Sequence, residues 1–391
     1  MKVVSLLCPL GLILVLVAAR QEGGDPIERL VLNKGVYTEG ASFGDVNGDG
    51  ATDLLAGPLW WQGPDFKTFH RYRAGEAVPA KGYAHNSFQS WVRDMNGDGR
   101  ADLFQVAHDG NFHLDLYLQP ETASEEWPKY RVVTKMGNES PELGDITGDG
   151  KEELIAMQGG KVGFFSPDWS APEKPWTFHA ISEVRTKSPY YHGLGFGDLN
   201  GDGRVDVLEK GGWYEAPKNP LSGELWILHP FLFSVKGGAQ MLVYDVDGDG
   251  DNDVISSIAA HAWGLAWFEN DDLSFTRHML IPEEKKPGVG GVVFTQAHAL
   301  VVGDFNGDGL TDFATGKRYW AHNGNDPDSA GAAVLYWYEL QRNDGKASFV
   351  PHLIDSDSGA GTQLAAADIN GDGKTDLGIG NKKGVYVFRS R

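Results

Sequence analysis

Asp45-Val46-Asn47-Gly48-Asp49-Gly50-Ala51-Thr52-Asp53 is one of seven near-identical nine-residue segments in this 391-residue chain. The pattern Asp-x-Asn-Gly-Asp-Gly-x-x-Asp restarts at Asp94, Asp145, Asp198, Asp245, Asp304 and Asp368, at spacings of 49, 51, 53, 47, 59 and 64 residues. A period of about fifty residues, filled with short strands, is that of one propeller blade.

The spacing inside each copy is calcium chemistry. A hard dication takes six or more oxygens at about 2.3 to 2.6 Å, and side chains at loop positions 1, 3, 5 and 9 converge on one point when glycines at 4 and 6 let the backbone turn. The expected ligands are Asp45, Asn47, Asp49 and Asp53 in the first copy, and Asp94, Asn96, Asp98 and Asp102 in the second. The fourth offers Asp198, Asn200, Asp202 and Asp206, the fifth Asp245, Asp247, Asp249 and Asp253. The sixth has Asp304, Asn306, Asp308 and Asp312, and the seventh Asp368, Asn370, Asp372 and Asp376. The third, with Asp145, Thr147, Asp149 and Glu153, departs most from the pattern. Up to seven calcium ions are therefore expected.

EF-hands use a similar loop, but they need a bidentate Glu at position 12 between two helices. Here that position holds Ala56, Gln105, Ala156, Glu209, Ser256, Thr315 and Ile379, and a short apolar run such as Leu54-Leu55 follows each loop, which predicts a strand. Paired helical modules of the dockerin type do not fit seven widely spaced copies either.

The formal charge of −20 has the same origin. Six loops with three acids each and one with four place 22 of the 54 acidic residues at ligand positions. Seven calcium ions would bring the net charge to about −6. No basic surface is left for a nucleic acid.

Lys2 precedes an apolar run at residues 3–17, and Val17-Ala18-Ala19 supplies small residues for cleavage, so residues 1–19 are expected to be a signal peptide. A membrane anchor is the rival reading, for which the run is short. The only cysteine, Cys8, lies inside this segment, so the exported chain is expected to lack disulfides and to use calcium as its staple. Residues 20–391 then form a single domain in the periplasm or outside the cell, with no membrane span.

With the loops as a ruler, four strands per repeat are predicted. The first precedes the loop (residues 194–197), the second follows it (205–209), the third is aromatic (265–268, 335–338), and the fourth comes last (226–229, 349–352). After the seventh loop the chain stops at the third strand, residues 384–388. Residues 27–32 carry a spare strand pattern at the other end. The expected fold is all-β, a seven-bladed β-propeller of four-stranded antiparallel blades, with the N-terminal strand completing the last blade and closing the ring.

Five histidines, His70, His179, His229, His278 and His352, recur in the fourth strand, and repetition argues for a structural role. His192 and His298 instead lie six residues before a loop aspartate, and Gln89, Gln240 and Gln363 lie five before theirs. From the connections after the second strand come Lys210, His261, Lys317, Arg318, His322 and Lys382, near Trp60, Trp213 and Trp320, and His85 precedes a first strand. These residues are expected to gather at one mouth, opposite the calcium loops, as a pocket for a polar, oxygen-rich ligand such as a sugar. His192, His298, His261, His322, Lys210 and Lys317 are the candidate catalytic set. His85, Gln89, Gln240, Gln363, Trp213, Trp320, Arg318 and Lys382 are the candidate substrate contacts. Neutral imidazoles near one axis also permit one zinc or other transition ion, with His192 and His298 as first ligands and His261, His322 and His85 next.

Phe43-Gly44-Asp45 and Phe196-Gly197-Asp198, with the loops they enter, resemble the FG-GAP or VCBS repeat family, which includes the propeller of integrin alpha subunits. The stretches 192–198, 238–241 and 380–384 resemble a group of exported bacterial propellers of uncertain function, over essentially the whole chain beyond residue 19. A more distant likeness, in repeats and axial histidines, is to the propeller of fungal aldos-2-ulose dehydratase, which implies elimination on keto-sugars. Two function classes stay open. The leading one is a carbohydrate lyase or dehydratase, in which a metal polarises a keto-sugar or uronate carbonyl and a His or Lys removes the adjacent proton. The alternative is a non-catalytic propeller that grips a glycan or a protein, as in adhesion.

Overall fold

The computed structural model describes residues 27–343 and 345–391, so residues 1–19, expected to be a signal peptide, and Cys8 among them, lie outside the described residues. These residues form 27 β-strands and two short 3-10 turns, with no α-helix among them. The chain is all-β, and no helix among the described residues is long and apolar enough to cross a membrane.

Each loop is followed by a strand, as the apolar runs predict: Asp53–Ala56, Asp102–His108, Glu153–Gln158, Asp206–Glu209, Asp253–Ser257, Asp312–Lys317 and Asp376–Asn381. Each pairs antiparallel with the strand before its loop and with the strand after it. The sheets have four, seven, eight, four and four strands. In the seven-stranded sheet the 16-residue strand Lys129–Gly144 serves two neighbouring sets. In the eight-stranded sheet Leu194–Gly197 runs parallel to Gln240–Tyr244 and joins two sets. That approach needs glycine at 195, where a Cβ would fall 2.1 Å from the Met241 carbonyl oxygen.

The first strand, Ile27–Asn33, pairs antiparallel with the last, Gly384–Ser390, with Leu30 opposite Val387. Apolar side chains fill the spaces between successive sets, and one cluster joins Leu54 and Trp61 of the first set to Ala365, Val385 and Val387 of the last. The core is thus distributed between units, each packing on its neighbours.

The fourth-strand histidines lie flat on aromatic rings of the third strand. His70 stacks on Trp60 at 4.2 Å, His229 on Trp213 at 4.1 Å, His278 on Trp267 at 4.5 Å and His352 on Trp337 at 4.3 Å, while His179 covers Phe164 at 5.0 Å. Glu215, Glu269 and Glu339 hold three of these rings through Nε2.

In the loops the first carboxylate closes the turn. Asp45 accepts hydrogen bonds from the N–H groups of Gly48 (2.8 Å) and Gly50 (2.9 Å), and both glycines have positive φ. The position-9 acid is buried and accepts N–H bonds from both sides, Asp53 from Val46 and Gly63. Burial pushes Asp53, Asp102, Asp206, Asp253 and Asp376 up to about 6, and Glu153 and Asp312 up to about 7. In the fifth loop Asp245, Asp247 and Asp253 bring carboxylate oxygens within 4.8 Å of one another.

Candidate metal centre and pocket

Counting six residues back from each loop aspartate gives Glu39, Phe88, Glu139, His192, Ala239, His298 and Thr362. Because each first strand enters the fold in the same way, these residues are equivalent. Glu139 and His298 sit within Lys129–Gly144 and Ala297–Gly303, and His192 just before Leu194–Gly197. His261 joins them from the connection that follows Asp253–Ser257.

One ligand atom each from Glu139, His192, His261 and His298 lies within 4.8 Å of the others. The Nε2 atoms of His192 and His261 are 2.9 Å apart, and Glu139 Oε2 is 3.5 Å from His192 Nε2, 3.5 Å from His298 Nε2 and 4.0 Å from His261 Nε2. A tetrahedral zinc with bonds of about 2.0 to 2.1 Å sets its ligand atoms about 3.3 Å apart, so the set brackets such a site. His298 is wholly buried and neither of its ring nitrogens has a hydrogen-bond partner. Burial drives it far below the usual imidazole range, and takes His261 down to about 4, so both are neutral and ligand-ready. Burial would raise the Glu139 carboxyl, but the close approach of the His192 and His298 imidazoles and the Arg318 guanidinium holds it well below the usual range.

A second layer supports the first. His261 Nδ1 is 3.1 Å from Asp326 Oδ2, which leaves Nε2 facing the cluster, and His322 Nδ1 is 2.9 Å from Asp326 Oδ1. That carboxylate–imidazole contact orients a ligand histidine. Asp326 sits in a connection where Trp320, His322, Asn323 and Asp328 all have left-handed backbones, strain of the kind that collects at functional sites. On the other side Arg318 Nη1 is 3.4 Å from Glu139 Oε2 and its Nε is 3.5 Å from Glu39 Oε2, while Lys382 Nζ pairs with Glu39 at 2.8 Å.

A cavity of about 400 Å³ opens on this cluster. Glu139, Arg318, His322 and His85 line it, with the aromatic faces of Tyr83, Phe88, Phe112 and Tyr190. His108 also faces it, its Nε2 3.1 Å from the Tyr190 hydroxyl, and burial lowers its proton affinity.

Of the residues expected at the mouth, the structure brings together His192, His261, His298, His322, Arg318 and His85. Others are placed elsewhere. Lys317 is fully buried and donates to Thr295 Oγ1 (2.8 Å) and the Asp328 carbonyl (2.6 Å). Lys210 lies over the Tyr191 ring at 4.4 Å. Gln89, Gln240 and Gln363 spend their amides on backbone groups of other units: Glu139, Thr362 with Leu300, and Ser90. Trp213 is core under His229, and Trp320 stacks beneath Lys81. Lys382 is buried against Glu39 and the Tyr83 ring. Glu139, Asp326, Glu39, His108 and Tyr190 were not among the expected residues, although the six-residue register that marks His192 and His298 marks both glutamates as well.

Family models support the repeat reading. An FG-GAP-like repeat model matches residues 94–156 and 245–315, and an FG-GAP repeat model matches 297–336 and 360–388. The chain carries FG-GAP repeats, consistent with the FG-GAP-repeat propeller family. No curated protein matches the sequence. Among solved structures the chain is similar to a lectin from Agrocybe aegerita, described as recognising non-reducing terminal N-acetylglucosamine, at 17% identity over 85% of this chain and 80% of that one, with a TM-score of 0.46.

Proposed function

We propose that this FG-GAP-repeat chain is an exported seven-bladed propeller that binds a carbohydrate at a transition metal held by Glu139, His192, His261 and His298. The seven-blade reading follows from counting Lys129–Gly144 in both of its sets, and from taking Ile27–Asn33 as the fourth strand of the last. The seven loops then hold calcium, which would relieve the buried position-9 carboxylates of their desolvation.

The observation that carries the metal reading is His298. A fully buried imidazole with both nitrogens unpartnered costs free energy unless something binds it, and three other ligand atoms surround it. The aromatic walls and charged floor of the cavity suit a sugar's apolar face and its hydroxyls. Elemental analysis of the purified protein and titration calorimetry with a panel of neutral, N-acetylated and uronate sugars test the proposal. His298→Ala should lose the transition ion and the sugar affinity while keeping calcium. Wild-type protein that binds no transition metal after exposure to zinc, manganese or iron would overturn it.

A catalytic reading is favoured by one further observation, the His108–Tyr190 pair that lines the same cavity as Glu139. A divalent ion in the cluster would supply Lewis acidity toward a keto-sugar or uronate carbonyl. His108, neutral and hydrogen-bonded to Tyr190, is suited to accept the proton next to that carbonyl and return it to the leaving oxygen, so that the C–H and C–O bonds break as the C=C bond forms. The same sugar panel, followed for absorbance of an unsaturated product, separates turnover from binding alone.

A further inference from the structure

The cavity at the metal cluster is not isolated. A second cleft, of about 580 Å³, shares His85 and His108 with it and runs out over the strand Phe112–Tyr117. At its floor lies Asp115, opposite Gln105, which is position 12 of the second loop. The six residues equivalent to Asp115 in the other units are Leu59, Gly163, Gly212, Ala266, Tyr336 and Tyr386, so this unit alone carries a charge there.

That carboxylate is buried, and it anchors a fixed array. Arg131 Nε donates to Asp115 Oδ1 at 2.9 Å, Lys129 Nζ lies 2.8 Å from Oδ2, and His113 Nε2 lies 3.5 Å from Oδ2. Although burial alone would raise Asp115, these partners hold it well below the usual range, so the array keeps its charge. Burying an ionised carboxylate is costly and is not needed for the repeat, as the six equivalents demonstrate. What it achieves is orientation: the partly exposed Lys129 and Arg131 are held along the wall of an open cleft that leads to the metal cluster.

We infer that the two cavities are successive subsites for one saccharide chain, with one sugar unit at the metal cluster and the following units in the Asp115-centred cleft. This rests on the carbohydrate reading above, and it names the ligand as an oligosaccharide. Prepositioned donors lower the ordering cost of each added unit, so affinity should climb with chain length until the cleft is full.

The test is calorimetry on metal-loaded protein with oligogalacturonides and N-acetylglucosamine oligomers, from monomer to hexamer. At least one series should gain about tenfold in affinity from monomer to trimer. Lys129→Ala and Arg131→Ala should abolish that gain while leaving monomer affinity and metal content near wild type; each also removes a partner of the buried Asp115 carboxylate and should lower the melting temperature. Affinity independent of chain length, or equal loss for monomer and trimer in both variants, would overturn the subsite assignment and leave the carbohydrate reading standing. Absence of binding for every sugar would remove both.

Discussion

Glu142 lies three residues beyond Glu139 on the same long strand, yet it answers to a different balance of forces. Glu142 is half-buried, Oε1 is shielded from solvent without a partner, and desolvation pushes the carboxyl up to about 8. A raised folded-state pKa means that the native protein holds the proton more tightly than the unfolded chain. The favourable contribution is therefore complete below about 4.5 and is lost as pH rises through about 8. Glu142→Gln should melt above wild type at pH 8 to 9, and the two curves should coincide near pH 4, by differential scanning calorimetry. A constant offset at both pH values would mean that Glu142 is not titrating. Glu139 shows why such residues are hard to foresee. In a chain with 54 acids, 22 of them at loop ligand positions, a lone glutamate carries no signal of its own, and only the register six residues before the loop sets it apart. Asp326 has no such marker, because its connection belongs to one unit and follows no repeat.

Strands were legible where the repeat fixes them. Residues 194–197 form a strand with the expected limits, whereas the third and fourth strands around 335–355 extend well beyond the expected segments, because cross-strand pairing continues past the aromatic core positions. The glutamines were misjudged for a related reason. A polar residue at the start of a first strand has two uses, and hydrogen bonds to backbone groups of other units claimed the amides before any ligand could. The first strand offers a direct test of how its element contributes. Leu30 packs into the cluster that holds Val385 and Val387, whereas Val31 faces outward. If Ile27–Asn33 closes the fold, Leu30→Asp should cost about 3 kcal/mol and sharply lower soluble yield, while Val31→Asp should be nearly silent. Equal behaviour of the two variants in chemical denaturation would argue that this strand adds little to the closed structure.

For the molecule as a whole, stability is a sum over units and the contacts between them, so a small term repeated in every loop becomes a large one. A site occupied at ten times its dissociation constant adds about 1.4 kcal/mol, and seven sites add about 10 kcal/mol, comparable to the whole stability of an ordinary domain. Protons compete for the same oxygens. Without a cation the position-9 acids stand at about 6 to 7, raised by burial, so the contribution they make is present at low pH and lost as pH rises through that window. A calcium ion reverses the sign by favouring the ionised form, so the stabilisation by calcium should itself grow with pH. Melting curves in calcium and in excess chelator should nearly coincide at pH 4.5 and separate progressively up to pH 8. Adding back calcium, and not zinc, should close the gap. Identical curves at pH 8 would mean that the loops are held by their own N–H to carboxylate bonds alone, and that the acidity of this chain serves some purpose other than binding calcium.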